Sequence, residues 1–172
     1  MQRLLAAMLT AAAGPAAAER GNVGAHGFTV THSAATRAAP AAVYQSITEN
    51  IDRWWNGDHS WSGDAANLYL RTGPGGCFCE RLPDGGHVEH LRLIHDAPGR
   101  ELRFDGALGP LQAMPVTGRM IWSIEAVDAG SRITFTYHVT GRPEGGLEGI
   151  APAVDAVIGE QLGRLAALLD AR

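Results

Sequence analysis

Three ionisable residues stand on two neighbouring runs that read as extended: Glu80 in GCFCERL, and Glu89 and His90 in HVEHLRLIH. A carboxylate held among apolar side chains becomes a useful proton carrier, and an imidazole can give or take a proton near neutral pH. Turned into a cavity, Glu80, Glu89 and His90, with Tyr137 beside them, would supply the acid, base or polarising groups of a cyclase, hydrolase or isomerase. Turned outward they are ordinary strand residues, solvated or paired with Arg71, Arg92 and Arg119. The chain has no G-x-S-x-G, H-E-x-x-H, P-loop or dinucleotide glycine pattern, so no nucleophile, zinc or nucleotide chemistry is indicated. Asp58, His59 and Asp64 share the loop NGDHSWSGDAA with Trp61, just after Trp54 and Trp55. Their spacing fits no strong ligand motif and suits turns, and we expect neither a metal nor a cofactor.

Cys77 and Cys79 sit two apart in CFC. In a regular strand they would point the same way about 6.5 Å apart, whereas bridged Cβ atoms lie about 4 Å apart. The expectation is two buried free thiols and no bridge, unless the strand is broken.

The elements that must position these groups follow from periodicity. FTVTHSAATR (28–37) alternates as a first strand, and AAPAAVYQSITENIDRWW continues as a short helix opened by Pro40, with Val43, Ile47 and Ile51 four apart. Trp54 and Trp55 are adjacent and cannot share one helix face, so one packs and the other caps a cavity mouth or the loop. Extended runs at 67–71, 76–82, 87–95, 100–106, 116–127 and 131–141 are separated by glycine- and proline-rich turns, which predicts an antiparallel meander. The last two are the clearest: Met120, Trp122 and Ile124, then Ile133, Phe135, Tyr137 and Val139, each form one apolar face. The run 87–95 is not clear, because either register drags ionisable groups inward with its leucines or its valine.

The final run, 152–170, is a long amphipathic helix. Val154, Val157, Ile158, Leu162, Leu165, Leu168 and Leu169 fall on one face, Asp155, Glu160 and Arg164 lie off it, and the small residues Ala156, Gly159, Gly163 and Ala167 lie roughly opposite. Gln161 projects near the middle of the apolar stripe, where its amide needs a hydrogen-bond partner.

The order of strand, short helix, meander and terminal helix, together with AAPAAVYQSITENIDRWW, GGCFCERL and DAPGREL, resembles the START-like, or SRPBCC, superfamily over residues 28–169. The chain is most similar to the branch grouping activators of a heat-shock chaperone ATPase with polyketide cyclase-like proteins. The resemblance implies an α+β helix-grip fold, in which a curved antiparallel sheet wraps a long C-terminal helix and leaves a cavity that often holds an apolar ligand. Family members include carriers, cyclases and co-chaperones, and the fold alone does not choose among them. The expected activity is binding of a small hydrophobic or aromatic molecule, with Trp55, Phe104, Met120, Trp122 and Tyr137 on the sheet side and Gln161 and Leu165 on the helix side. The alternatives are a cyclase- or hydrolase-type enzyme using Glu80, Glu89 and His90, and a co-chaperone-like module presenting an aromatic patch at Trp55 and Trp61.

A net charge of −4, with no basic run and no lysine among 14 basic residues, argues against nucleic acid as the partner. Residues 1–18 have a basic residue, an apolar stretch and an A-x-A end, the grammar of a secretory signal peptide too short and broken to be a membrane span. Such a leader would place the mature chain in the periplasm or outside the cell, away from an ATP-dependent chaperone. Residues 19–26 read as a flexible tether, and 27–172 as the helix-grip domain.

Overall fold

The computed structural model describes residues 17–21 and 23–171. The predicted leader therefore lies outside the described residues apart from Ala17 and Ala18. Eight strands form one antiparallel sheet: β1 (Ala17–Arg20), β2 (Gly27–Thr36), β3 (Leu68–Arg71), β4 (Cys77–Arg81), β5 (His87–Ala97), β6 (Glu101–Asp105), β7 (Val116–Val127) and β8 (Gly130–Gly141), in the order β1-β2-β8-β7-β6-β5-β4-β3. Helices α1 (Pro40–Glu49) and α2 (Ile51–Trp54) join β2 to β3, and α3 (Ala151–Asp170) closes the chain. The sheet is curved and open and wraps α3, the helix-grip arrangement. Glu19 and Arg20, assigned by composition to a tether, pair as part of β1 with Thr31 and Val30.

The core follows the alternation of β7 and β8. Trp122 lies opposite Phe135 and Met120 opposite Tyr137, and all four side chains are buried on the inner face. The aromatic rings form a continuous run. Trp122 meets Phe104 and Phe135, each at 4.8 Å between centroids, and Trp54 at 5.8 Å; Trp55 meets Phe78 at 4.8 Å. Both tryptophans of the DRWW sequence are buried, because α2 ends at Trp54 and Trp55 is already extended (φ −70°, ψ 132°), so the two neighbours do not have to share one helix face.

Helix α3 buries Ile158, Gln161, Leu162, Leu165 and Leu169 against this core. Asp155, placed off the apolar face by periodicity, is buried too, because its Oδ1 lies 2.7 Å from His32 Nε2 on β2. One turn on, a Cβ at Gly159 would lie 2.8 Å from the same imidazole, so this glycine lets the helix approach β2, whereas Ala156, Gly163 and Ala167 of the small-residue stripe are exposed.

Strand β5 departs from strict alternation twice. Its pairing with β4 passes from Phe78↔Leu91 to Cys79↔Glu89 and skips His90; its pairing with β6 passes from Leu93↔Phe104 to His95↔Arg103 and skips Ile94. Each skipped residue is a β-bulge, which bends the strand and re-aims its side chains. As a result the neighbours His90 and Leu91 are both buried, whereas Glu89 is exposed.

The same irregularity corrects the cysteine prediction. Cys77 and Cys79 form a disulfide, with a Cα–Cα separation of 5.5 Å. That is shorter than the roughly 6.5 Å between alternate residues of a regular strand. β4 itself is continuous, but the His90 bulge of β5 lies opposite the step from Phe78 to Cys79, so the two cysteines stand at an irregular stretch of the ladder, where the spacing of a regular strand does not apply.

Candidate functional site

A cavity of about 450 Å³ opens between the first half of α3, the loop after α2, and the β5 side of the sheet. Helix α3 contributes Ala153, Val154, Val157 and Ile158, with Ile150 just before it. The loop contributes Asp58, His59, Ser60 and Trp61, with Trp55 behind them; a 3-10 turn (Gly109–Ala113) and the preceding Leu108 supply Leu108, Pro110 and Leu111. From the sheet comes His90.

The loop is tied to both walls. On the helix side, Gln161 Oε1 accepts the Asn56 backbone N–H at 2.7 Å, and Glu160 accepts the Asn56 amide at 2.7 Å and meets His59 Nε2 at 3.1 Å. These partners, Asn56 foremost, hold the Glu160 carboxyl below the usual carboxylate range. On the sheet side, the N–H groups of Trp61 and Ser62 donate to Glu80 at 3.0 and 2.5 Å. Trp55 Nε1 donates to the His59 carbonyl and braces the loop from beneath.

The 3-10 turn is held by Tyr137, whose hydroxyl accepts the Leu108 N–H at 3.0 Å and donates to the Gly106 carbonyl at 3.2 Å. Burial pushes the Tyr137 hydroxyl up to about 12. The ring has room only because residue 118 is glycine, since a Cβ there would lie 2.6 Å from it.

Glu80 and His90 form a pair at the base of the cavity. Glu80 is 0% exposed, and His90 Nε2 lies 2.8 Å from its Oε2. Burial raises the Glu80 carboxyl, but hydrogen bonds from Ser62, the Trp61 amide and His90 together outweigh it, and the group sits below its ordinary pKa. For His90 burial dominates and pushes the imidazole down, against the opposing bond and charge of Glu80. The imidazole stacks on Phe78 at 4.8 Å, so the aromatic core ends in a ring that faces the cavity.

Of the residues singled out in the sequence, Trp55, Asp58, His59, Trp61 and His90 line the cavity and Glu80 supports His90 from behind. Phe104, Met120, Trp122, Tyr137, Gln161 and Leu165 are buried in the core and do not line it. Gln161 is spent on the loop through Oε1, and its Nε2 has no partner among the described residues. Glu89 lies beside the Cys77–Cys79 bridge, its carboxylate within 4.8 Å of the sulfurs. Joined as a disulfide, those sulfurs are not thiolate ligands, and the group holds no metal in this state. Among the cavity residues that sequence reasoning missed are Leu108, Pro110 and Leu111. Their signal was an apolar trio inside GALGPLQAMP, a segment read only as a turn.

A curved antiparallel sheet gripping a terminal helix, with a cavity at the junction, defines the START-like class of domains. The chain belongs to the polyketide cyclase / dehydrase and lipid transport family, which it matches over residues 27–170. Solved structures share the fold at low identity. A conserved protein of unknown function from Enterococcus faecalis is 14% identical with a TM-score of 0.63, over 89% of this chain and 77% of that one. An uncharacterised protein from Rhizobium leguminosarum is 20% identical with a TM-score of 0.59, over 92% and 100%. A protein from Mesorhizobium loti is 15% identical with a TM-score of 0.60, over 83% and 97%. No curated protein sequence matches the chain significantly. Among the described residues no helix is long and apolar enough to cross a membrane.

Proposed function

We propose that this chain binds a small hydrophobic or aromatic molecule in the cavity between α3 and the sheet. The observation that carries this reading is the cavity itself: about 450 Å³, walled mainly by aliphatic and aromatic side chains, with few polar groups converging on it. The test is to fill it. Ala153 lines the cavity and is otherwise exposed, so Ala153→Trp is expected to lower affinity for naphthalene at least tenfold by calorimetry, with unchanged circular dichroism. Undiminished affinity in that variant would refute the assignment of the site.

A second reading, an acid–base enzyme of the cyclase or hydrolase type, is favoured by one feature, the buried Glu80–His90 pair opening onto the cavity. The same titration with a 1,3-diketone in deuterium oxide separates the two. Deuterium uptake at the central carbon faster than in buffer, lost in His90→Leu, supports the enzyme; recovery of the diketone unchanged supports the carrier.

We also propose export. The support is the leader-like N-terminal sequence and the Cys77–Cys79 bridge, since disulfides persist mainly in oxidising compartments. The intact mass of protein recovered from the cell envelope is expected to correspond to a chain beginning near residue 19, and a full-length mass would refute this.

A further inference from the structure

The Glu80–His90 pair also defines the kind of molecule the cavity accepts. Both carboxylate oxygens of Glu80 already receive a backbone N–H, from Trp61 and Ser62. An ionised carboxylate can only accept, so the third contact must be donated by His90 Nε2. Burial holds the imidazole below its ordinary pKa, so at neutral pH the ring carries one proton, and that proton is on Nε2. Nδ1 is then a bare acceptor: the one side-chain hydrogen bond of His90 among the described residues is that of Nε2, and Nδ1 is not one of the sealed, unpartnered atoms of the core, so it reaches open space where His90 lines the cavity. Phe78 stacks on the ring and fixes its plane.

The fixed charges nearest the base of the cavity are acidic, and the one basic side chain on its lining besides His90, His59, is engaged with Glu160. Asp58 lines it, Glu80 lies directly behind His90, and no arginine is among its lining residues. A carboxylate or phosphate ligand would meet a neutral acceptor and two acidic groups. A neutral ligand with a hydroxyl could donate to His90 Nδ1 and leave its apolar body against Leu111, Val157 and Ile158.

We infer that His90 Nδ1 is a recognition atom that selects neutral ligands bearing a hydrogen-bond donor, such as a phenol, an enol or an alicyclic alcohol, over anionic lipids and fatty acids. This inference rests on the cavity being the binding site. It makes His90 the specificity-determining residue and Glu80 a positioning residue that fixes the tautomer, as a carboxylate behind an imidazole does generally.

The test is an isosteric series, 2-naphthol, naphthalene and 2-naphthoate, titrated calorimetrically at neutral pH into the full chain. One net hydrogen bond is worth about 1 kcal/mol, so 2-naphthol should bind about fivefold or more tighter than naphthalene, and 2-naphthoate weakest of the three. His90→Leu should erase the preference for 2-naphthol while retaining naphthalene, and His90→Gln, which keeps an acceptor, should restore part of it. The ordering in the unmodified protein needs no variant and decides the matter if the variants do not fold. Equal affinity for 2-naphthol and naphthalene, or tightest binding of 2-naphthoate, overturns the inference and leaves the binding site standing. Failure of all three to bind, or binding unaffected by Ala153→Trp, overturns both.

Discussion

Replacing Trp122 with alanine is expected to cost about 3–5 kcal/mol of unfolding free energy, the range for removing a large buried aromatic. Trp122 is 0% exposed and touches four other aromatic rings, Trp54, Phe78, Phe104 and Phe135, at centroid distances of 4.8 to 6.4 Å. Its loss leaves a void that neighbours on three strands and a helix cannot all move to fill. The check is the urea midpoint at constant m-value. The prediction also separates core from ligand wall. Naphthalene affinity in the folded fraction should be nearly unchanged, because Trp122 does not line the cavity. A small stability loss with abolished binding would instead return Trp122 to the ligand-contact role that its aromatic face suggests in the sequence.

The second large effect is expected at Glu80. Glu80→Ala removes the acceptor for two backbone N–H groups and for His90 Nε2. Unsatisfied buried donors cost about 1–3 kcal/mol each, so a loss of about 3 kcal/mol or more is expected, with the loop after α2 released from the sheet. The pair also sets the acid side of the stability profile. His90 is held below its ordinary 6.5, so between its unfolded and folded pKa values the unfolded chain binds a proton that the folded chain does not. Stability therefore falls as pH drops below about 6.5 and levels off once the folded ring is protonated. Glu80 is held below its ordinary 4.5, so its contribution is present above that value and is lost as pH falls toward its folded pKa. Urea midpoints measured from about pH 7 down to about pH 3 should decline in these two stages, and His90→Phe should remove the upper one. A flat profile from pH 7 to below 5 would refute the assignment for His90.

How much of this was legible in the sequence depended on whether local rules held. Strands β7 and β8 are half-buried and regular, so alternation identified their inner residues, Trp122 and Phe135 among them. Strand β5 carries bulges at His90 and Ile94, and a single extra residue reverses every side chain beyond it. The anomaly was visible as a run with no clean register, but not where the register broke. The bridge between Cys77 and Cys79 was missed for the same reason, since the distance argument assumed a regular strand. Asp155 was misplaced because its burial depends on His32, 123 residues away in the sequence. Gln161 was correctly picked out as needing a partner, and the partner is a loop amide that no periodicity reveals. The aromatic residues chosen as ligand contacts are the largest on the inner face. Being largest, they fill the core, and the space that remains is bounded by smaller aliphatics and by loops.

The walls of the cavity come from residues 55–61, 90, 108–111 and 150–158, four separated stretches of the chain. No fragment contains a version of it, and an unfolded chain offers its occupant nothing comparable. Whatever molecule fills it binds the native state alone and shifts the folding equilibrium toward that state by mass action, about 2.7 kcal/mol at a free concentration one hundred times its dissociation constant. For a chain of this size such a shift is comparable to the loss expected at Glu80. Occupancy and persistence are thereby linked, and the filled protein should outlast the empty one wherever proteases sample unfolded chains.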